Sequence, residues 1–203
     1  MKTVFVHPER CIGCRHCEMA CAIEHSESKE LFGMIFETPR SNPRIHVDVG
    51  LSFLTFPNRC RHCDPAPCMQ VCPTAALHRD VETGSVLVNY DKCIGCAMCA
   101  MVCPFDIISF HKVWNVKLDH EVNVKCDHCI ERQRNGEIPA CVEACKTGAL
   151  EFGDANAIIR SSRKDFTLRT ITALKGEEAP SIPANLEAFR EVMAKVSQLG
   201  PLV

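Results

Sequence analysis

Residues 93–104 read CIGCAMCAMVCP, and this stretch decides how the rest of the chain is read. Cys93, Cys96, Cys99 and Cys103 stand at C-x2-C-x2-C-x3-C spacing, with Pro104 behind the last. Gaps of two residues let three thiolates wrap three corners of one iron–sulfur cube. Gly95 lets the backbone turn tightly against such a cube. The fourth cysteine is expected at the start of a helix, pointing to a different cluster. Residues 11–21, CIGCRHCEMAC, repeat the spacing with Cys11, Cys14, Cys17 and Cys21, and Gly13 stands where Gly95 does. Core packing does not produce two such runs. Zinc is a poor fit to them, because three cysteines at tight, even spacing crowd a tetrahedral site.

Two further groups complete the arithmetic. CRHCDPAPCMQVCP at residues 60–73 supplies Cys60, Cys63, Cys68 and Cys72. CDHC and CVEAC supply Cys126, Cys129, Cys141 and Cys145. The chain has 203 residues and 16 cysteines, so four groups of four leave none over. The compact groups carry the run of bacterial ferredoxins. The last group, with its longer gap between Cys129 and Cys141, also fits structural zinc when taken alone. Its company favours iron and sulfur. A three-iron cluster would need a missing ligand, and none is missing. Disulfides are the remaining reading of so many cysteines. The opening residues MKTVFVHPERC show no apolar signal core and no twin arginine, so a reducing, cytoplasmic setting is expected and metal ligation with it.

The chain repeats itself. CIGCRHCEMAC matches CIGCAMCAMVC, CMQVCPTAAL matches CVEACKTGAL, and CRHC matches CDHC. Between Cys72 and Cys93 the sequence reads as a short helix, a strand, a turn at Glu82-Thr83-Gly84 and a strand over Ser85–Asn89, the ordinary link within a two-cluster unit. Groups two and three then form one unit, in which Cys60, Cys63, Cys68 and Cys103 hold one cluster and Cys93, Cys96, Cys99 and Cys72 its neighbour. By elimination, Cys11, Cys14, Cys17 and Cys145 hold a third, and Cys126, Cys129, Cys141 and Cys21 a fourth. Sequential pairing, one with two and three with four, stays open. The expected fold is α+β: two nested ferredoxin-like units with four [4Fe–4S] clusters and a C-terminal helical tail. The units are residues 1–24 with 112–153, and residues 57–111. Residues 25–56 are an insertion, and 154–203 form the tail.

Outside the cysteines, Val4–His7, Ile107–Phe110 and Val122–Lys125 read as strands, and Arg44–Val49 with Leu51–Phe56 as a hairpin joined near Gly50. Residues 154–166 read as a helix and Lys175–Pro183 as a linker. Pro183 to Leu199 reads as an amphipathic helix that docks on the core, on a partner or on a second copy. The formal net charge of −2 gives no broad basic field for nucleic acid. Four loaded sites at about −2 each would add roughly −8. Arg10, Arg15, Arg61, Lys92, Lys125 and Lys146 lie beside cysteines and read as solvated surface or as tuning charges. His16, His62 and His128 read as residues around the ligands or at the surface. No apolar run approaches a membrane span. No glycine pattern cradles a nucleotide.

Four thiolates per cluster leave no open iron, so no catalytic residues are assigned and an electron wire is the expectation. The spacings, including CRHCDPAPC and the C-x2-C-x11-C-x3-C group, resemble the four-cluster iron–sulfur subunits of the dimethyl sulfoxide reductase electron-transfer family. The wording CIGCRHCEMACAIEHS, CIGCAMCAMVCPFDII and IPACVEACKTGAL is most similar to iron–sulfur proteins that accompany anaerobic carbon monoxide dehydrogenase, and also to the small subunit of tungsten aldehyde oxidoreductases. The resemblance covers residues 1 to about 153 and implies the nested pairing. It also implies a catalytic oxidoreductase as partner: carbon monoxide dehydrogenase first, then a tungsten or molybdenum aldehyde or formate enzyme, then a hydrogenase. Ala22 and Lys146 stand where the ferredoxin pattern has proline, a departure that leaves the ligands intact.

Overall fold

The computed structural model describes residues 2–50 and 54–174, together with Glu191, Ala194 and Lys195. Among the described residues, four two-stranded antiparallel sheets frame the cysteine groups. Strand β1 (Lys2–Val6) pairs with β8 (Leu150–Asp154), with Val4 opposite Phe152, so the two ends of the cysteine-bearing region lie side by side. Strands β2 (Ile45–Val49) and β3 (Thr55–Arg59) form the expected hairpin, though β3 begins at Thr55. Leu51–Phe53 lie outside the described residues. Strands β4 (Leu77–Arg79) and β5 (Val86–Val88) flank the turn ahead of the third group. There Asp80 accepts hydrogen bonds from the Thr83 amide (2.9 Å) and hydroxyl (2.7 Å). Strands β6 (Ser109–His111) and β7 (Val122–Val124) carry the chain from the third group to the fourth.

The helices that carry or flank the cysteines are short: α1 (His16–Glu24), α2 (Leu31–Phe36), α3 (Pro67–Gln70), α4 (Met98–Met101), α5 (Ile130–Arg134) and α6 (Ala140–Glu143). They correct one expectation. The third cysteine of each group lies inside a helix: Cys17 in α1, Cys68 in α3, Cys99 in α4 and Cys141 in α6. The fourth follows about one turn later and does not begin a helix. Cys21 lies in the second half of α1, and Cys72, Cys103 and Cys145 come just after α3, α4 and α6. Three intervening residues are one helical turn, so the turn forms between the two thiols. The short helix expected after Cys72 is likewise absent: residues 73–74 form a turn, and α3 precedes the cysteine.

The chain arrives at the groups in two ways. One-turn 3-10 helices over Pro8–Arg10 and Tyr90–Lys92 lead into Cys11 and Cys93, and close with amide bonds to Pro8 and Tyr90 of 3.0 Å each. Strands β3 and β7 lead into Cys60 and Cys126. The core between them is small. Seven of the sixteen cysteines are buried, and three apolar clusters built on them make up most of the interior. Helix α7 (Ala155–Leu174) is longer than expected. Ile158 on it is buried, while Phe166 and Leu168 are exposed. The expected linker Lys175–Pro183 and the amphipathic helix from Pro183 to Leu199 lie outside the described residues, apart from Glu191, Ala194 and Lys195.

Candidate metal centres

Tight loops aim the thiols inward. Gly13 and Gly95 take φ of +70° and +66°, a region where a Cβ is strained. A Cβ on Gly95 would also meet the Glu121 carbonyl at 2.8 Å. Arg15 and Ala97, both left-handed, then redirect the chain into α1 and α4.

Three cavities result, each walled by four cysteines. Cys60, Cys63, Cys68 and Cys103 line the first. Cys72, Cys93, Cys96 and Cys99 line the second. Cys21, Cys126, Cys129 and Cys141 line the third. Each set takes three cysteines from one sequence group and one from another. Of the remaining four, Cys11, Cys17 and Cys145 belong to one apolar cluster, and Cys14 is exposed. Shared packing strings these sets together. One cluster joins Cys11, Cys17 and Cys145 to Cys21 and Cys141; a second joins Cys126 to Cys60 and Cys103; a third joins Cys68 to Cys72 and Cys99. The outer sets each hold an exposed thiol, Cys14 or Cys96, and the two inner sets hold none.

The donors fit iron–sulfur clusters. All sixteen thiols are free. Burial pushes the Cys126 thiol up to about 11 and Cys17 to about 12, and raises Cys129 and Cys141 further. Such thiols become thiolates only when a metal supplies the countercharge. N–H groups already point at sulfur. Cys21 Sγ accepts from the Arg44 amide (3.3 Å), and Cys60 and Cys126 accept from the His62 and His128 amides (3.4 Å each). Cys99 accepts from Asn123 Nδ2 at 3.0 Å.

Between the inner cavities lie polar side chains for which sequence reasoning assigned no burial. His16 is exposed, but His62 and His128 are buried and stack on each other, with centroids 4.8 Å apart. His62 Nδ1 accepts from the Val86 amide (3.0 Å), and His128 Nδ1 bonds the Ser85 hydroxyl (3.0 Å). Burial together with neighbouring cations holds both imidazoles neutral: His128 falls to about 4 and His62 lower. Arg59 and Lys125 are each 1% exposed. Of the two readings of Lys125, solvated surface or tuning charge, its burial removes the first; Arg59 was passed over. Both precede the first cysteine of the CRHC and CDHC repeats, but a basic residue also precedes each of the other two groups, so the sequence carried no signal of their burial.

A second, partly buried network borders the cavity of Cys21. Asp127 accepts from Arg44 Nη1 (2.8 Å), His25 Nε2 (3.0 Å) and the Cys129 amide (2.9 Å). Although burial opposes it, the Asp127 charge lifts His25 to about 10. His25, Asp127 and Cys129 come close enough to hold a metal ion. The adjoining Arg44 guanidinium makes that trio an ion-pair network instead.

The description 4Fe-4S dicluster domain matches residues 51–155, a stretch holding the second, third and fourth cysteine groups. The chain is 37% identical to the electron transport protein HydN of Escherichia coli K12, over 76% of this chain and 89% of that one. It is 36% identical to an iron–sulfur protein of Rhodospirillum rubrum, over 76% and 83%. It is 37% identical to YnfG of Escherichia coli K12, described as a probable anaerobic dimethyl sulfoxide reductase chain, over 84% and 80%. Among the described residues no helix is long and apolar enough to cross a membrane.

Proposed function

The chain belongs to the 4Fe-4S dicluster family of iron–sulfur electron-transfer proteins, and from that premise we propose that it relays single electrons through four [4Fe–4S] clusters between a catalytic oxidoreductase subunit and an acceptor. One observation carries the reading: four-cysteine cavities, filled from different sequence groups, follow one another through shared apolar packing. The ligand sets would be Cys11, Cys14, Cys17 and Cys145; Cys126, Cys129, Cys141 and Cys21; Cys60, Cys63, Cys68 and Cys103; and Cys93, Cys96, Cys99 and Cys72. A bound [4Fe–4S] cluster accepts and releases one electron without moving atoms far. The protein's own part is to hold the thiolates, to aim N–H groups at them and to keep water from the inner pair. Exposed Cys14 and Cys96 make the outer sets the points of exchange with partners. Apolar residues rim both: Ile12 and Met19 at one end, Ile94, Met98 and Met101 at the other.

Carbon monoxide dehydrogenase is the partner we place first, on the strength of the motif wording. A tungsten or molybdenum aldehyde or formate enzyme comes next, then a hydrogenase. A reducing, cytoplasmic setting belongs to the same reading, since it would keep the sixteen cysteines as thiols for ligation. The test is anaerobic purification of the tagged chain with metal analysis. About sixteen irons per chain, at about four per cluster, are expected. Nickel in a co-purifying protein with CO-oxidation activity supports the first partner; tungsten or molybdenum rules it out. Zinc in place of iron ends the whole reading.

A further inference from the structure

Each inner cavity is faced by a cation from the other cavity's motif. Arg59 immediately precedes Cys60, yet its side chain lines the cavity of Cys21, Cys126, Cys129 and Cys141. Lys125 immediately precedes Cys126, yet it lines the cavity of Cys60, Cys63, Cys68 and Cys103. The crossing follows from the strands. β3 and β7 deliver the two residues at equivalent points of the internal repeat, and each side chain reaches across.

Neither cation has a carboxylate partner among the described residues. Arg59 Nη1 donates to the Val4 carbonyl (3.3 Å), while its Nε and Nη2, both buried, have no partner among the described residues. Lys125 Nζ donates to the Val86 and Cys126 carbonyls, the latter at 3.0 Å, which leaves its third N–H. A buried cation without countercharge is strongly unfavourable. The negative groups within reach are the thiolates. The Arg59 charge bears on Cys126 and Cys141, and the Lys125 charge on Cys68.

We propose that Arg59 and Lys125 set the reduction potentials of the two inner sites in crossed fashion, Arg59 that of the site with Cys141 and Lys125 that of the site with Cys68. The proposal rests on the reading that these sites hold iron–sulfur clusters. An arriving electron adds negative charge, and a fixed cation in a dry, low-dielectric setting stabilises the reduced form. The potential rises accordingly. The other two groups supply the control, because Lys92 precedes Cys93 and is exposed.

The experiment is a redox titration of the full chain, followed by electron paramagnetic resonance, with iron and sulfide counted first. Arg59→Met, Lys125→Met and Lys92→Met are compared with the parent. Signals are assigned by difference: Cys14→Ser and Cys96→Ser remove those of the outer sites and Cys68→Ser that of its own inner site, which leaves the signal of the Cys141 site. Arg59→Met is expected to weaken reduction of the Cys141 site at least tenfold, about 59 mV for one electron. Lys125→Met does the same to the Cys68 site, and Lys92→Met changes either less than twofold. Fully loaded variants with unshifted potentials overturn the proposal, and so does a shift confined to each cation's own motif. If Arg59→Met loses iron, Arg59→Gln removes the charge while keeping an N–H donor for the Val4 carbonyl. Reduction of the Cys141 site weakened at least tenfold in that variant then supports the proposal, and an unshifted potential overturns it. A parent chain without iron defeats the underlying reading, an outcome distinct from normal iron with unmoved potentials.

Discussion

Every cysteine group follows a basic residue: Arg10, Arg59, Lys92 and Lys125. In the two compact groups that residue ends a 3-10 turn, Arg10 half-exposed and Lys92 exposed, and the group's loop carries the exposed thiol Cys14 or Cys96. In the two looped groups it ends or follows a strand and is wholly buried, and the neighbouring histidines stack between the cavities. The same local word therefore has two meanings, set by what leads into it. A 3-10 turn leaves the cation in water, where its field is screened. A strand drives it into the interior, where the same charge acts at close range without competition from solvent. On the proposed function, the outer sites serve exchange and the inner ones insulation.

Ligand removal is the strongest way to break this contrast. Cys14→Ser opens an exposed corner of an outer site. The expected loss is about four irons per chain, with the rest retained. Cys141→Ser places a hydroxyl among buried thiols in the cluster that joins an inner site to an outer one. Its expected loss is at least twice as large, and the cooperative thermal transition should go with it, because ligand binding here is folding free energy. Iron per chain and circular dichroism read both. Equal losses would mean that inner and outer sites are supported alike.

How much of this was legible follows from the same contrast. Cysteine spacing is readable because ligation demands fixed gaps, and a gap of three residues leaves one helical turn between the third and fourth thiols. Strands were readable where apolar residues run between turn signals: β5 lies at Val86–Val88, within the expected Ser85–Asn89. The helix expected after Cys72 was misplaced, because the turn of helix lies between Cys68 and Cys72 and not beyond them. Burial of Arg59 and Lys125 was not readable, since each looks locally like exposed Lys92. Nor was the Arg44–Asp127–His25 network, whose members are scattered over three segments and meet only through folding.

That network sharpens the comparison next. Asp127 lies against an inner site only, and Asp127→Asn leaves the nearly buried Arg44 without its countercharge. Breaking a buried pair from one side costs about 3 kcal/mol. The holo-protein should melt at a clearly lower temperature, with the Cys14-containing outer site still loaded. An unchanged melting temperature would show that solvent or Tyr90, whose hydroxyl meets Arg44 at 3.2 Å, replaces the carboxylate.

The smallest effect separates the two outer loops from each other. Gly13, Gly95 and Gly84 share a left-handed φ near +70°, so alanine at any of them should cost about 1 kcal/mol through the backbone alone. Their surroundings differ. A Cβ on Gly84 meets nothing within 4 Å. On Gly13 it would come within 2.9 Å of the Thr55 methyl. That side chain is held by its hydroxyl bond to the Cys11 carbonyl (3.0 Å) and gives way only by losing it. On Gly95 the obstacle is backbone, the Glu121 carbonyl at 2.8 Å, which cannot rotate aside. The expected order of destabilisation is therefore Gly95→Ala, then Gly13→Ala, then Gly84→Ala, with the first about 2 kcal/mol or more. Thermal unfolding of the three loaded variants ranks them. If Gly95→Ala and Gly84→Ala cost the same, the loop before Cys96 yields as easily as a surface turn, and the outer sites are held by their thiols rather than by the close fit of the chain around them.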